Sequence, residues 1–334
     1  MGGPARTWLV IALSALAPAA AAGQVAPSRS VTQADMERWK TELSNWGRWG
    51  PDDQKGTLNL ITPAKRREAA ALVRDGITVS LARDAATERA VDNGNPYEQT
   101  MVRVNEAASS DRIAVSFHGY AHTHLDALGH HFLKGRMYNG FARDSFVTME
   151  RGAERGSVHN MKDGIFTRGV LIDLPRLKGV PWLEPGTPVY VEDLEAWERM
   201  AGVRISAGDA IFIRTGRWAR RAVEGPWSPS ERAAGLHASV IPWLRARDVA
   251  LIGSETAVDV VPHPEGTVIT DPDDYLPVHN FVLVALGMPL LDDCWLEELA
   301  EAAAARNRWE FLVTAAPLPI VNGTGSPINP TAVF

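Results

Sequence analysis

Cysteine is nearly missing from this sequence: Cys294 is the only one among 334 residues. A single thiol makes no internal disulfide, so the fold must be held by burial, for which 45% hydrophobic residues provide a core. No histidine lies near Cys294 in sequence, so it reads as a buried structural thiol and not as a nucleophile. Basic excess is missing too. Thirty-four Lys and Arg face 40 Asp and Glu, a net charge of -6. The basic runs, at 65–67 and 217–221, are short. Nucleic-acid binding needs a concentrated basic face, so no nucleic-acid partner is expected. Long apolar runs are confined to residues 8–19. Arg6 precedes that run, and Ala20, Ala21 and Ala22 follow it before Gly23. That order is a secretory signal peptide, and the run is short for a membrane span. We therefore expect a signal peptide at 1–22, a flexible lead-in at 23–34, and an exported chain, periplasmic or extracellular, with no membrane part after cleavage. Internal repeats and low-complexity linkers are absent, which predicts one domain over 35–334.

What is present alternates. Apolar runs at 77–81, 169–174, 209–214, 249–252, 287–291 and 311–315 have strand length. Segments 64–75, 191–200, 229–236, 241–247 and 296–306 have helical spacing, with Thr62 and Pro63 as cap and first position of the first. Strands alternating with helices predict an α/β fold. The Pro- and Gly-rich stretch after residue 315 reads as a tail.

Five of the nine histidines fall within HGYAHTHLDALGHH at 118–131. If residues 115–126 are extended, side chains alternate between faces. Ser116, His118, Tyr120, His122, His124 and Asp126 then share one face, and mostly apolar or small residues share the other. His124 and Asp126 lie ~7 Å apart along such a strand, within rotamer reach of one ion. Imidazole with carboxylate is a normal ligand set for zinc, manganese or iron. Gly129 predicts a turn that returns His130 or His131 toward the ion. Histidine suits acid/base work, and His130 is our candidate for it.

With those residues in hand, the chain resembles the cyclase family, which includes bacterial kynurenine formamidase and isatin hydrolase. The family motif HxGTHxDxxxH falls on residues 120–130. Further matching stretches are WGPDDQKGTLNLIT at 49–62, KGRMYNG at 134–140, GVLID at 169–173, GDAIFIRTG at 208–216 and PVHN at 277–280. The first two are similar to the longer branch of the family in particular. The resemblance implies a mixed β-sheet or β-barrel-like core of the swivelling β/β/α type with flanking helices. It implies one or two divalent ions, Zn or Mn, on His124 and Asp126, with His279 and Asp292 completing the set, and His130 as acid/base catalyst. It also implies a homodimer or homotetramer. The chain departs from the motif at Tyr120, where the first metal histidine belongs. His118 or His122 is expected to take its place.

These residues together predict a metal-dependent hydrolase. It would cleave an amide, formamide or cyclic amide of a small, aromatic substrate through ion-activated water. A metal-dependent cyclase or lyase, or a non-catalytic exported protein binding metal or ligand, would use the same residues. Weaker candidates are Tyr120, Arg214 at a strand end, Glu255 just after another, and Trp49 in the loop with Trp46, Asp52, Asp53 and Asn59. For Arg214 the competing expectation is a salt bridge to Asp173 or Asp209. For Trp49 it is packing across the domain or against a dimer partner.

Overall fold

The computed structural model describes residues 1–3 and 29–334; the expected signal peptide and most of the lead-in fall outside them. Nine strands build the central sheet: β1 (Thr78–Ser80), β2 (His124–Asp126), β3 (Ile165–Asp173), β4 (Ala210–Arg214), β5 (Leu251–Ser254), β6 (Leu290–Asp292), β7 (Glu310–Ala315), β8 (Gly325–Pro327) and β9 (Thr331–Val333). Their order is β8-β2-β6-β5-β4-β3-β7-β9-β1. The four middle strands, β6-β5-β4-β3, run parallel, and every outer pairing is antiparallel. The result is a curled, mixed, half-barrel-like sheet with helices packed around it, the α/β architecture expected.

Burial explains the sequence pattern. The parallel strands are covered on both faces, so they are continuous apolar runs: Ala210, Ile211, Phe212 and Ile213 are all buried. Helices Val191–Ala201, Ile241–Arg247 and Glu297–Arg306 form where helical spacing places them. Helix Pro63–Ala70 begins as expected, with Thr62 accepting the Lys65 amide and Pro63 in the first turn. Trp197 is buried against the sheet and donates its indole N–H to the Leu171 carbonyl at 2.6 Å, so its polar end is satisfied inside the core. Cys294 is buried and free, as expected. No helix among the described residues is long and apolar enough to cross a membrane.

Three expectations fail. Residues 229–236 form turns and the two-residue strand Gly235–Leu236, not a helix. The Pro- and Gly-rich tail contributes β8 and β9; Pro327 sits in the edge strand, where a missing N–H costs no ladder bond. Residues 118–122 form turns and a bend, so 115–126 is not one extended strand. Backbone pairing stops at Ala114, the end of an outlying hairpin (Glu98–Val104 with Ser109–Ala114), and resumes only at His124.

Candidate metal centre

The centre is built where β2 lies between β6 and β8. His124 and Asp126 are two apart on β2 and point the same way. The antiparallel register sets Asp292 opposite His124, and cross-strand partners share a face. Three ligand-type side chains thus meet from two short strands.

His118 arrives from outside the strand. Gly119 has φ +144°, a conformation that side-chain-bearing residues rarely adopt. The chain turns there and folds the His118 ring back over β2. The Nε2 of that ring meets Thr324 Oγ1 at 3.1 Å, which leaves Nδ1 facing Asp126 Oδ1 at 2.9 Å. Gly325 makes room: a Cβ there would lie 2.9 Å from His118 Cε1 and 2.5 Å from the Leu125 carbonyl oxygen. The same turn sends His122 elsewhere. Its Nε2 donates to the Asn95 carbonyl at 2.7 Å, and its ring packs edge-on against Tyr97. Between the two substitutes for the missing motif histidine, the structure brings His118 to Asp126 and not His122.

The remaining histidines converge on the same carboxylate. His279 Nε2 lies 3.2 Å from Asp126 Oδ2 and 3.4 Å from Asp292 Oδ2. Its short helix, Pro277–Phe281, is anchored by Asp259, which accepts the Val278 and His279 amides at 2.8 and 2.9 Å. His130 stacks on His118 with ring centroids 3.8 Å apart and holds Nε2 3.8 Å from Asp126 Oδ2. His131 meets the His279 ring edge-on at 4.7 Å. The His124 Nδ1 donates to the His122 carbonyl at 2.7 Å, so its Nε2 is the free nitrogen, 3.4 Å from Asp126 Oδ1. Such a bond fixes the tautomer and the ring direction.

Two groups of donors lie close enough to share a cation: His118, Asp126 and His130, and His124, Asp126 and Asp292. Within each, the ligand atoms are all within 4.8 Å of one another. Asp126 belongs to both. Asp126 Oδ1, Asp292 Oδ1 and His118 Nδ1 are buried at the centre, and no group outside it satisfies them. Buried polar atoms are normally satisfied, so convergent lone pairs of this kind fit a divalent ion.

Electrostatics point the same way. Burial opposes the charged form of His124, yet Asp126 and the neighbouring carboxylates outweigh it and raise this histidine to about 9. His279 is likewise raised to about 10, by hydrogen bonds to Asp126 and Asp292 against its burial. Burial pushes the Asp126 carboxyl up, and the imidazoles, His130 first, more than reverse this and hold it ionised. The carboxylates demand positive charge. His130 is lowered to about 4 and His131 to about 2, by burial first and by neighbouring imidazoles second.

Sequence reasoning missed Asp293 and Arg217 behind the centre and had Glu255 only as a weak candidate. Asp293, with φ +55°, turns out of β6 toward Arg217. The buried Arg217 guanidinium binds Asp293 Oδ1 at 2.5 Å, the Glu255 carbonyl at 2.6 Å and the Tyr120 carbonyl. Asp293 Oδ2 also lies 3.9 Å from His124 Nδ1. The adjacent Asp292 and Asp293 were the available signal, since two carboxylates seldom sit together behind a buried strand unpaired. Glu255, just past β5, accepts from Thr215 N and Oγ1, Gly216 N and Arg217 N through one oxygen.

The weaker candidates resolve differently. Arg214 pairs with Asp173 at 2.8 Å and Glu297 at 2.5 Å. Trp49 lies under the Arg48 guanidinium at 4.7 Å, and Arg48 is held by both oxygens of Asp248. The phenol of Tyr120 is kept protonated by burial first and by Asp292 and Asp293 second. The two longer-branch stretches lock onto each other. Asp53 accepts the Tyr138 hydroxyl, the Asn59 amide and the Gly56 N–H, each at 2.9 Å, and Asn139 donates to the carbonyls of Gly50, Pro51 and Asp53.

Comparison with known proteins agrees with this geometry. Residues 32–259 match the family described as Cyclase. A crystal structure described as a novel cyclase is 31% identical, with a TM-score of 0.79, over 88% of this chain and 99% of its own. Isatin hydrolase A from Ralstonia solanacearum is 22% identical, with a TM-score of 0.52, over 80% of this chain and 94% of its own. Isatin hydrolase A from Labrenzia aggregata, solved with benzyl benzoate, is 21% identical, with a TM-score of 0.53, over 79% and 94%. At these identities the two isatin hydrolases share the fold alone. No curated protein matches the chain. The family match, the 31% relative and the shared sheet all lead to one conclusion: this chain belongs to the cyclase family.

Proposed function

We propose that the chain is an exported, metal-dependent hydrolase of a small amide, formamide or cyclic amide. One observation carries this: two donor groups share Asp126, with buried lone pairs that no group outside the centre satisfies. His118, His124, Asp126, Asp292 and His279 would hold the ion or ions, Zn or Mn. When bound, such an ion acidifies water and polarises a carbonyl. The chain's own residues do the rest. Asp293 and the His122 carbonyl fix the His124 ring, and Asp259 fixes His279. His130 presents Nε2 beside Asp126 and would move a proton between water and the leaving nitrogen. Tyr120 offers a protonated hydroxyl.

The test uses purified protein with isatin and with N-formylaniline, before and after chelation, alongside elemental analysis. The expected result is a bound divalent ion and ion-dependent cleavage that takes up one water oxygen, traced with labelled water. Ion-dependent substrate loss without that oxygen moves the reading to the cyclase or lyase class. Stoichiometric ion without turnover moves it to a binding protein.

A further inference from the structure

A cavity with no histidine in its lining opens beside Arg83. It has a volume of about 750 Å³ and is bounded by segment 82–93, helix Arg217–Glu224, Trp295 and Glu298. None of the candidate metal ligands lines it. Its inner wall carries Arg83, whose guanidinium lies 4.5 Å over the Trp218 ring. Among the described residues no carboxylate pairs with this guanidinium, and its buried Nη1 has no hydrogen-bond partner. Arg221, the neighbouring cation, is already held by both oxygens of Asp92, at 2.5 and 2.9 Å. The acidic residues at the cavity, Asp84, Glu88 and Glu298, are exposed and solvated. The backbone of Arg83 is fixed: its N–H donates to Thr123 Oγ1 at 3.0 Å, and that hydroxyl donates to the Asp293 carbonyl at 2.7 Å. The lining is mixed: Ser80, Thr87, Asn93 and Arg89 are polar, and Ala85, Ala222, Pro226 and Trp295 give it an apolar part.

A half-buried guanidinium with no carboxylate partner is costly unless an anion meets its accessible edge. Its planar fork suits a carboxylate. We propose that this cavity binds a small monocarboxylate with an apolar body, its carboxylate on Arg83 and its body against Trp295, Ala222 and Pro226. This goes beyond the hydrolase reading, since no candidate metal ligand takes part.

Calorimetric titration of the full chain with benzoate, and with its neutral analogue benzamide, tests the proposal. Benzoate should bind saturably and equally well before and after chelation, and more tightly than benzamide. Arg83→Gln should weaken benzoate about tenfold, the loss of one charge-assisted contact, and leave benzamide unchanged. Ala222→Trp, which fills the cavity, should abolish benzoate binding while circular dichroism stays that of the parent. Should Arg83→Gln fail to fold, Ala222→Trp alone decides. The proposal is overturned if wild type shows no saturable benzoate binding, if chelation removes it, or if a folded Ala222→Trp chain binds as the parent does.

Discussion

Asp53 and Asp126 are both carboxylates in motifs shared with the family, yet they stand in opposite states. Asp53 is met by a backbone amide, an asparagine and a tyrosine hydroxyl, and it ties residues 53–59 to residues 138–139. Asp126 is surrounded by four imidazoles, and its Oδ1 meets imidazole nitrogens alone. Both motifs carry acidic and polar residues of similar kind. What separates scaffold from centre is whether the protein itself completes the hydrogen bonding. Glu255 stands between the two, with one oxygen accepting four donors and the other none.

Breaking Asp126 should have the largest effect. Asp126→Asn removes the shared ligand, and even partners behind a ligand are worth 10–100-fold. Bound ion measured by elemental analysis should therefore weaken by at least ~100-fold, and hydrolysis should fall to background. The contrast between the two spare histidines sharpens the point. His118→Gln should lower ion affinity by about 10–100-fold, whereas His122→Gln should leave the ion in place. Equal losses in a competitive chelator titration would mean that the observed turn at Gly119 does not select the ligand.

Glu255 gives a smaller, pH-dependent effect. Burial first, then Glu297, raises it to about 7 from an ordinary 4.5. Between those values the folded chain holds a proton that the unfolded chain has released. The contribution is full below pH 4.5 and is lost as pH rises through 7, by at most about 1.4 kcal/mol per pH unit. Urea melts should show wild type losing ground to Glu255→Gln across that window, and parallel stability curves would contradict the shift. Smallest is Tyr138→Phe, which takes one donor from Asp53. It should cost about 1.5–3 kcal/mol in stability and leave ion content unchanged; a parallel loss of ion would erase the distinction between Asp53 and Asp126.

Strands that are buried on both faces were readable, because burial writes itself into composition: β3, β4 and β5 lie on the apolar runs. His124 and Asp126 were readable from their spacing, the family resemblance supplied His279 and Asp292, and the structure brings the four together. The short outer strands β8 and β9 were not readable, because three residues, Gly-Ser-Pro or Thr-Ala-Val, are too few to show a period, and pairing partners far along the chain make them strands. Strict alternation misplaced His122 for a similar reason. One glycine at positive φ breaks the period of two, and nothing at the level of pattern shows that Gly119 turns while Gly129 also stands in the same segment. Asp293 and Arg217 escaped because a buried ion pair joins residues 76 apart.

Arg217 has a consequence for genetics. One guanidinium holds Asp293, the Glu255 carbonyl and the Tyr120 carbonyl, so it staples three stretches of chain behind the centre. Losing it strands a buried carboxylate, at about 3–5 kcal/mol. A random library scored only by colony phenotype will rank Arg217 beside Asp126, and only the amount of folded protein recovered from each clone tells the two apart.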